Sequence, residues 1–244
     1  MITSAQLEKA RDFILRHGDL LTRRRFACHF ENAPKHAVLD VLACYQNPDG
    51  GFGHGLELDL LCPDSSGICT EMAFGHFVEL DVHDGPLFDR ALAWVLAKRT
   101  PSGDLPHPVE AIKRYPHGGW WEKQDSGRIL SIAGLLGRLG MHHPAVTERA
   151  AAVFEQAFLP LPDELPVYSY PLNLYLEYAD GAGRYTGHRD RLRAAVPAML
   201  ESAAWHHPLF FCHGHWASPY IPRPGGRARP PGPSPASRTT AAPS

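Results

Sequence analysis

The stretch Gln46-Asn47-Pro48-Asp49-Gly50-Gly51-Phe52-Gly53-His54-Gly55-Leu56-Glu57-Leu58-Asp59 decides the fold that we predict for this chain. The residues before it carry apolar side chains at positions i, i+3, i+4 and i+7, the stripe of an amphipathic helix. These residues are Val38, Val41, Leu42 and Tyr45. A proline followed by an acid and two glycines favours a turn, so the helix has to end there. The stretch predicts the turn of a helical hairpin, and its acids make it the first candidate for a functional site.

Apolar residues at helical spacing recur along most of the remaining chain. We predict eight helices, at about residues 3–18, 34–45, 66–80, 86–95, 126–139, 144–157, 170–180 and 188–204. The fifth is apolar over a wide arc and is expected to be deeply buried, whereas Pro197 is expected to kink or shorten the last. The basic run Arg23–Arg25 is assigned to a solvated face or loop. No stretch alternates with a period of two, so the predicted fold class is all-α, built from helical hairpins.

Length, charge and cysteine usage limit the class of protein. With 244 residues, 44% of them hydrophobic, the chain can form one sizeable core. Its formal charge of −2 gives no reason to expect nucleic acid or an anionic membrane as a partner. We find no signal peptide and no run of about 20 apolar residues, and therefore expect a cytoplasmic protein without a membrane span. The five cysteines form no Cys-x-x-Cys pair and are expected to be reduced, buried thiols.

The chain end differs in composition from the rest. The last 23 residues, from Pro222, hold seven prolines, four arginines and no acid, and such a segment cannot bury a core. We predict one domain over residues 1–221 and a disordered tail over residues 222–244. Cys212-His213-Gly214-His215 has the residue types of a metal site but lacks a second ligand pair at a zinc spacing, so no metal or cofactor is predicted.

The motif Gln46-x-x-Asp49-Gly50-Gly51-Phe52-Gly53-x-Gly55, followed by Thr70-x-x-Ala73, resembles the repeat of the terpenoid cyclase and protein prenyltransferase superfamily. Gly118-Gly119-Trp120-Trp121 is similar to a second, degenerate copy, and Ser102-Gly103-Asp104 to a third. The resemblance implies an α/α toroid, a ring of helical hairpins, here of about four hairpins and incomplete. It also implies structural roles: the glutamine bridges the turn to a neighbouring helix end, and the aromatic residues plug gaps between hairpins.

The reaction marks of that superfamily are missing from this chain. It has no Asp-Asp dipeptide, which removes both the Asp-x-Asp-Asp acid of the cyclases and the Asp-Asp-x-x-Asp metal site, and it has no Asp-x-Cys zinc pair. An acid cluster around the quoted stretch remains. Glu57 and Asp59 are two residues apart and are expected to share one side of an extended segment. As an alternative, acids near a helix start only favour the helix dipole and cap the first turn.

A carboxyl beside a second carboxylate can be held protonated and aimed at a substrate, which is what acid-initiated chemistry needs. We therefore predict Asp59 and Glu57 as acid and partner, with His54 as a modulator. The residues predicted to bind substrate are Phe52, Asp64, Glu71, Trp120 and Trp121.

Three functions stay open at this point. The first is an isoprenoid enzyme that cyclises or rearranges a prenyl or polyene substrate in the toroid cavity. The second is a non-catalytic toroid that binds a hydrophobic ligand or another protein. The third is a carbohydrate-active α/α-barrel enzyme, which uses paired carboxylates and aromatic platforms for sugars. An apolar, aromatic cavity favours the first, whereas exposed tryptophans at a cleft mouth beside the acids favour the third.

Overall fold

The computed structural model describes residues 3–123, 127–160, 174–180 and 183–201. The α-helices in these ranges are α1 (Ser4–His17), α2 (Leu20–Phe30), α3 (His36–Ala43), α4 (Gly67–Leu80), α5 (Pro86–Ala97), α6 (Val109–Ile112), α7 (Arg128–Arg138), α8 (Pro144–Ala157) and α9 (Thr186–Glu201). A 3-10 helix spans Gly119–Glu122 and a π-helical turn spans Tyr175–Ala179. In the same ranges we find no β-strand, and the predicted all-α class is confirmed.

Local sequence signals fix where several of these helices begin. Thr3 and Gln6 form a capping box at the start of α1. The hydroxyl of Ser66 accepts a backbone N–H in the first turn of α4. Pro86 and Pro144 are the first residues of α5 and α8, where the missing N–H of proline is not needed. The beginnings of these helices follow from short sequence patterns alone.

Helix α7 lies at the centre of the packing. All of its residues from Arg128 to Leu136 are buried, as predicted for this segment. It packs against α4, α8 and the π-helical turn. Two glycines permit the closest approach, because a Cβ on Gly134 or Gly137 would collide with the carbonyl of Leu174 or Tyr178. The core therefore depends on a helix face that has no side chain at two positions.

The turn from Gln46 to Gly53 is held by side chains as well as by its glycines. The carboxylate of Asp49 accepts hydrogen bonds from the Gly51 backbone N–H (3.0 Å), the Ser65 hydroxyl (2.7 Å) and the Trp94 indole N–H (3.0 Å). Partial burial acts to raise the pKa of Asp49, but these three donors outweigh it and hold the pKa below its ordinary value. One carboxylate thus joins the turn to the entry of α4 and to α5.

Gln46 connects the same turn to the beginning of α5. Its Nε2 donates to the carbonyls of Gly50 and Leu87, both at 3.0 Å, and Arg90 donates to its Oε1. The predicted bridge from the turn to a neighbouring helix is confirmed. The turn lies so close to α5 that position 50 requires glycine. Gly50 has φ of 95°, and a Cβ there would collide with the carbonyl of Arg90.

Phe52 fills the space behind the turn. Its side chain has no exposed surface and meets Phe77 of α4 edge to face, with ring centroids 6.5 Å apart. Its backbone N–H donates to the Thr70 hydroxyl at 3.2 Å. Phe52 and Thr70, which belong to the same sequence motif, therefore connect the turn to α4. The full burial of the Phe52 ring agrees with its predicted role in filling a gap.

Several predicted elements differ from the observed ones. The basic run Arg23–Arg25 lies in α2, a helix that we did not predict because charged residues interrupt its apolar pattern. Its first two arginines are exposed, and Arg25 binds Glu79 of α4 instead of solvent alone. The last helix continues to Glu201, so Pro197 does not end it. The predicted tail, 222–244, lies outside the described residues.

No described helix has the length and apolar character that a membrane crossing requires.

The close approach at Gly134 predicts a specific loss of stability. Gly134→Ala should lower the free energy of unfolding by about 1–3 kcal/mol, because the added methyl group forces α7 away from the π-helical turn. Urea unfolding followed by circular dichroism measures the change. Gly75→Ala in α4 is the matched control, since nothing lies within 4 Å of its added Cβ and alanine favours a helix. Equal stability of the two variants would contradict the packing role of Gly134.

Candidate functional site

Two loops border the predicted acids and are joined to each other. The acid loop, residues 54–61, leaves the turn and leads towards α4, and the tryptophan loop, residues 115–122, includes the 3-10 helix. Two backbone hydrogen bonds connect them, from Leu61 N–H to the Pro116 carbonyl (3.0 Å) and from Gly118 N–H to the Asp59 carbonyl (2.8 Å). Residues about 60 positions apart are thereby brought to one place. The residues Gly118–Trp121 therefore lie beside Asp59.

Glu57 lies in a turn of the acid loop. Leu60 N–H donates to the Glu57 carbonyl at 3.0 Å, so the prediction of an extended segment is wrong. The two acids still interact: burial first, and then the negative charge of Asp59, raises the pKa of Glu57 from 4.5 to about 7. The charge of Glu71 adds to this effect and that of Arg128 opposes it. At neutral pH Glu57 is therefore a carboxyl that can both hold and release a proton.

Asp59 is fixed by the tryptophan loop. Its Oδ1 accepts a hydrogen bond from the Trp121 indole N–H at 2.7 Å. Both side chains are partly buried. A short N–H···O bond to a carboxylate restricts the position of that carboxylate. The paired acids thus have different surroundings, Asp59 with a hydrogen-bond donor and Glu57 with negative charges.

Glu71 lies beneath the acid loop, on α4. Its side chain is 2% exposed and accepts a hydrogen bond from Arg128 at 2.8 Å. Arg128 is the first residue of α7, so this ion pair connects the two most buried helices. Truncation of either partner would leave a buried charge, which is strongly destabilising. The position of Glu71 agrees with a structural role, and its predicted contact with substrate stays a prediction.

His54 and Asp64 are both exposed. His54 has φ of 57° and its Nε2 contacts Asn47 Oδ1 at 2.8 Å, within the turn. Phe52, the remaining residue of the predicted substrate site on this side, is fully buried. The part played by these three residues in catalysis or binding stays a prediction, and for Phe52 the packing supports the structural role.

The two loops that border the acids carry exposed apolar side chains. They belong to two residues from the acid loop and two from the tryptophan loop, with exposed fractions of 72%, 47%, 38% and 65%: Leu58, Leu61, Tyr115 and Trp120. Trp120 folds over Gly118, where any side chain would collide with the indole. We call these four residues the apolar rim. The adjacent residues Trp120 and Trp121 therefore have different surroundings. The Trp120 side chain lies at the surface, whereas the Trp121 indole N–H donates to Asp59.

Sequence reasoning missed two charged or polar residues of the site. Arg128 could not be recognised because it is the first residue of an otherwise apolar helix and has no motif around it. His107 was hidden in a proline-rich loop, yet it is 8% exposed and its Nε2 contacts the Trp121 carbonyl at 2.7 Å. Neither could be recognised by spacing, because both come close to the acids only through folding.

The remaining predictions concern the cysteines and the C-terminal part of the chain. Cys62 and Cys69 are buried as predicted, and burial raises the pKa of the Cys69 thiol to about 11, which makes it unreactive. The prediction is wrong for Cys44, which is exposed. Cys212–His215 lies outside the described residues.

Comparison of the chain with protein-family models, with curated proteins and with solved structures found no match.

The raised pKa of Glu57 predicts a pH dependence of stability. The folded protein keeps a proton on Glu57 between pH 4.5 and about 7, whereas the unfolded chain releases it, so the free energy of unfolding falls as pH rises through this window. The contribution is on the order of 3 kcal/mol. Glu57→Gln should remove it and should be more stable relative to wild type at pH 8 than at pH 4.

Urea unfolding of both proteins at a series of pH values measures this difference. Leu58→Ala is the control, because it removes an exposed neighbour of Glu57 without removing a charge. Parallel pH profiles for wild type and Glu57→Gln would show that Glu57 titrates in the same way in the folded and unfolded protein.

Proposed function

We propose that this chain is a short α/α-toroid protein of the terpenoid cyclase and prenyltransferase type, and that it is an acid–base enzyme. The toroid is supported by the turn from Gln46 to Gly53, where glutamine, aspartate, glycine and phenylalanine all make the contacts that a hairpin repeat needs. A hairpin held in this way by side chains packs against its neighbours at a fixed angle, which is a requirement for building a ring.

The observation that carries the catalytic proposal is the pair Glu57 and Asp59. The Glu57 carboxyl is partly buried, and the negative charges of Asp59 and Glu71 act on it against the positive charge of Arg128, whereas the Asp59 carboxylate accepts the Trp121 indole N–H. Two carboxyls with surroundings this different are suited to two roles, proton donor and anionic partner. We assign the proton donor to Glu57 and the anionic partner to Asp59, which reverses the sequence-based prediction of Asp59 as the acid and Glu57 as its partner.

The strength of the acid restricts the substrate. A carboxyl whose pKa is about 7 is a poor acid for an isolated alkene but is well matched to a leaving oxygen near neutral pH. In the proposed step the C–O bond breaks with its electron pair on oxygen, and the Glu57 proton passes to that oxygen. The cationic carbon that remains is stabilised by the Asp59 carboxylate, and Glu57, now ionised, takes up a proton from the product or from an attacking water.

The apolar rim favours an isoprenoid that carries such an oxygen. Leu58 and Leu61 are exposed beside the acids and offer contact to a hydrocarbon chain. Burial of apolar surface contributes roughly 25 cal/mol per Å², so covering such side chains gives useful binding energy. The proposed substrate class is a prenyl alcohol, ether or ester with its oxygen directed at Glu57.

A second candidate, a carbohydrate-active enzyme, is favoured by one observation. The Trp120 ring is 65% exposed next to the residue that holds Asp59, as expected for a platform on which a sugar ring stacks. Glycosidic bonds also need proton donation to a leaving oxygen, so the same pair of carboxyls would serve. The two candidate functions differ in the ligand that would contact the apolar rim. An isoprenoid enzyme would bind a hydrocarbon chain there, and a carbohydrate-active enzyme would bind the face of a sugar ring.

Turnover of a substrate panel separates these proposals. We expect products, detected by mass spectrometry, from prenyl alcohols and esters and none from oligosaccharides. Asp59→Asn keeps an oxygen for the Trp121 N–H but removes the charge, so turnover should fall at least about 100-fold while the protein stays folded. Leu58→Ala should raise KM with little change in kcat, because it removes binding surface only.

The opposite results are equally informative. Products from oligosaccharides, lost in Trp120→Ala, would replace the isoprenoid proposal with the carbohydrate one. Turnover that survives in Asp59→Asn would rule out its role. Thermal stabilisation by prenyl compounds without any product would indicate a binding protein.

A further inference from the structure

His107 is the most deeply buried histidine near the acids, and the proposed reaction does not use it. It is 8% exposed and lies in the connection between α5 and α6. Its Nε2 is 2.7 Å from the carbonyl oxygen of Trp121, and the two rings have centroids 6.0 Å apart. A carbonyl oxygen can only accept, so Nε2 has to carry the proton. In the neutral ring Nδ1 is then an acceptor, and it is buried without a hydrogen-bond partner among the described residues.

The backbone around His107 is fixed on both sides. The carbonyl of Pro106 accepts the N–H of Gly67, the first residue of α4, at 2.8 Å. Asp104, close before it, accepts backbone N–H groups at the start of α7. His107 therefore stands on a segment anchored to the two central helices, whereas the tryptophan loop that it contacts is a surface loop.

We propose that His107 is a positioning residue: its Nε2–H anchors the Trp121 carbonyl, and the Trp121 indole N–H in turn holds Asp59 beside Glu57. Two hydrogen bonds, each of 2.7 Å, connect the imidazole to the carboxylate through one residue. This inference rests on the proposed function, because it gives Asp59 its catalytic position. It assigns His107 no contact with substrate.

The arrangement explains why a tryptophan serves at position 121. Its backbone oxygen faces the rigid histidine while its side-chain nitrogen reaches across to the acid loop. The indole is long enough to span this distance and donates from one fixed position. Movement of the Trp121 backbone is therefore transmitted to Asp59, whose charge acts on Glu57. Loss of the hydrogen bond from His107 to Trp121 should therefore change the titration of Glu57, by way of Trp121 and Asp59.

The first test needs no variant and no substrate. Nitrogen-15 NMR of the wild-type protein reports which ring nitrogen of His107 carries the proton. We expect the Nε2–H tautomer and an indole N–H of Trp121 that exchanges slowly with solvent. The Nδ1–H tautomer would overturn the proposal, because Nε2 could not then donate to Trp121.

The second test uses two substitutions of His107 whose amide nitrogens replace different ring nitrogens. The amide nitrogen of His107→Gln lies where Nε2 was, and that of His107→Asn lies where Nδ1 was. The carboxyl carbon-13 signal of Glu57 follows its titration. With His107→Asn the titration midpoint should fall by about one unit, as Asp59 moves away, and with His107→Gln it should stay near the wild-type value. Trp121→Phe, which removes the indole N–H, should lower the midpoint like His107→Asn.

A merely structural role predicts a different result. Loss of packing would lower the melting temperature in both variants and leave the Glu57 midpoint unchanged in both, and that result would overturn the proposal. The exposed residue His83 provides the control, since His83→Asn should alter neither quantity. These measurements use no substrate, so a chain without turnover, which contradicts the proposed function, leaves their outcome unaffected.

Discussion

The carboxylate of Asp49 joins the turn after α3, the entry of α4 and the side of α5 through three hydrogen-bond donors. Each donor comes from a different part of the chain, so the bonds determine how these parts are placed relative to one another. The glycines beside Asp49 are a consequence of this closeness, since the carbonyl of Arg90 and the ring of Trp94 occupy the space of a side chain. A truncated Asp49 would leave the indole and the hydroxyl without their acceptor.

The position of the acids depends on that turn. Gly53 packs against the carbonyl of Pro63, which folds the acid loop back on itself between the turn and α4. The loop is then closed from the other side by the tryptophan loop. This arrangement partly buries Glu57 and brings it within the influence of Asp59, Glu71 and Arg128. Its unusual protonation is therefore a property of the packed loops and not of the local sequence.

Charge is handled differently in the second cluster of the molecule. Glu79 of α4 accepts hydrogen bonds from Arg25, His29 and His76, and although burial acts in the opposite direction, these partners lower its pKa. Glu79 is thus held as a charged link between α2 and α4. Glu57 has negative neighbours, and the opposing positive group, Arg128, binds Glu71. The comparison separates a carboxylate that stabilises the fold from a carboxyl that is suited to proton transfer.

The sequence by itself determined what depends on neighbouring residues: the all-α class, the turn at Pro48 to Gly51, the helix starts at Thr3, Pro86 and Pro144, and the burial of α7. It also singled out Glu57 and Asp59, because acids within a glycine-rich turn are unusual. It missed α2, where charged residues mask the apolar stripe, and it placed the acids in an extended segment that is in fact a turn. Only the tertiary structure decided the different surroundings of the two acids, the separate positions of Trp120 and Trp121, and the contact of His107 with the tryptophan loop. The physical reason is that burial, hydrogen bonding and charge at these residues come from segments up to about 60 positions away, and no local pattern encodes which segments will meet.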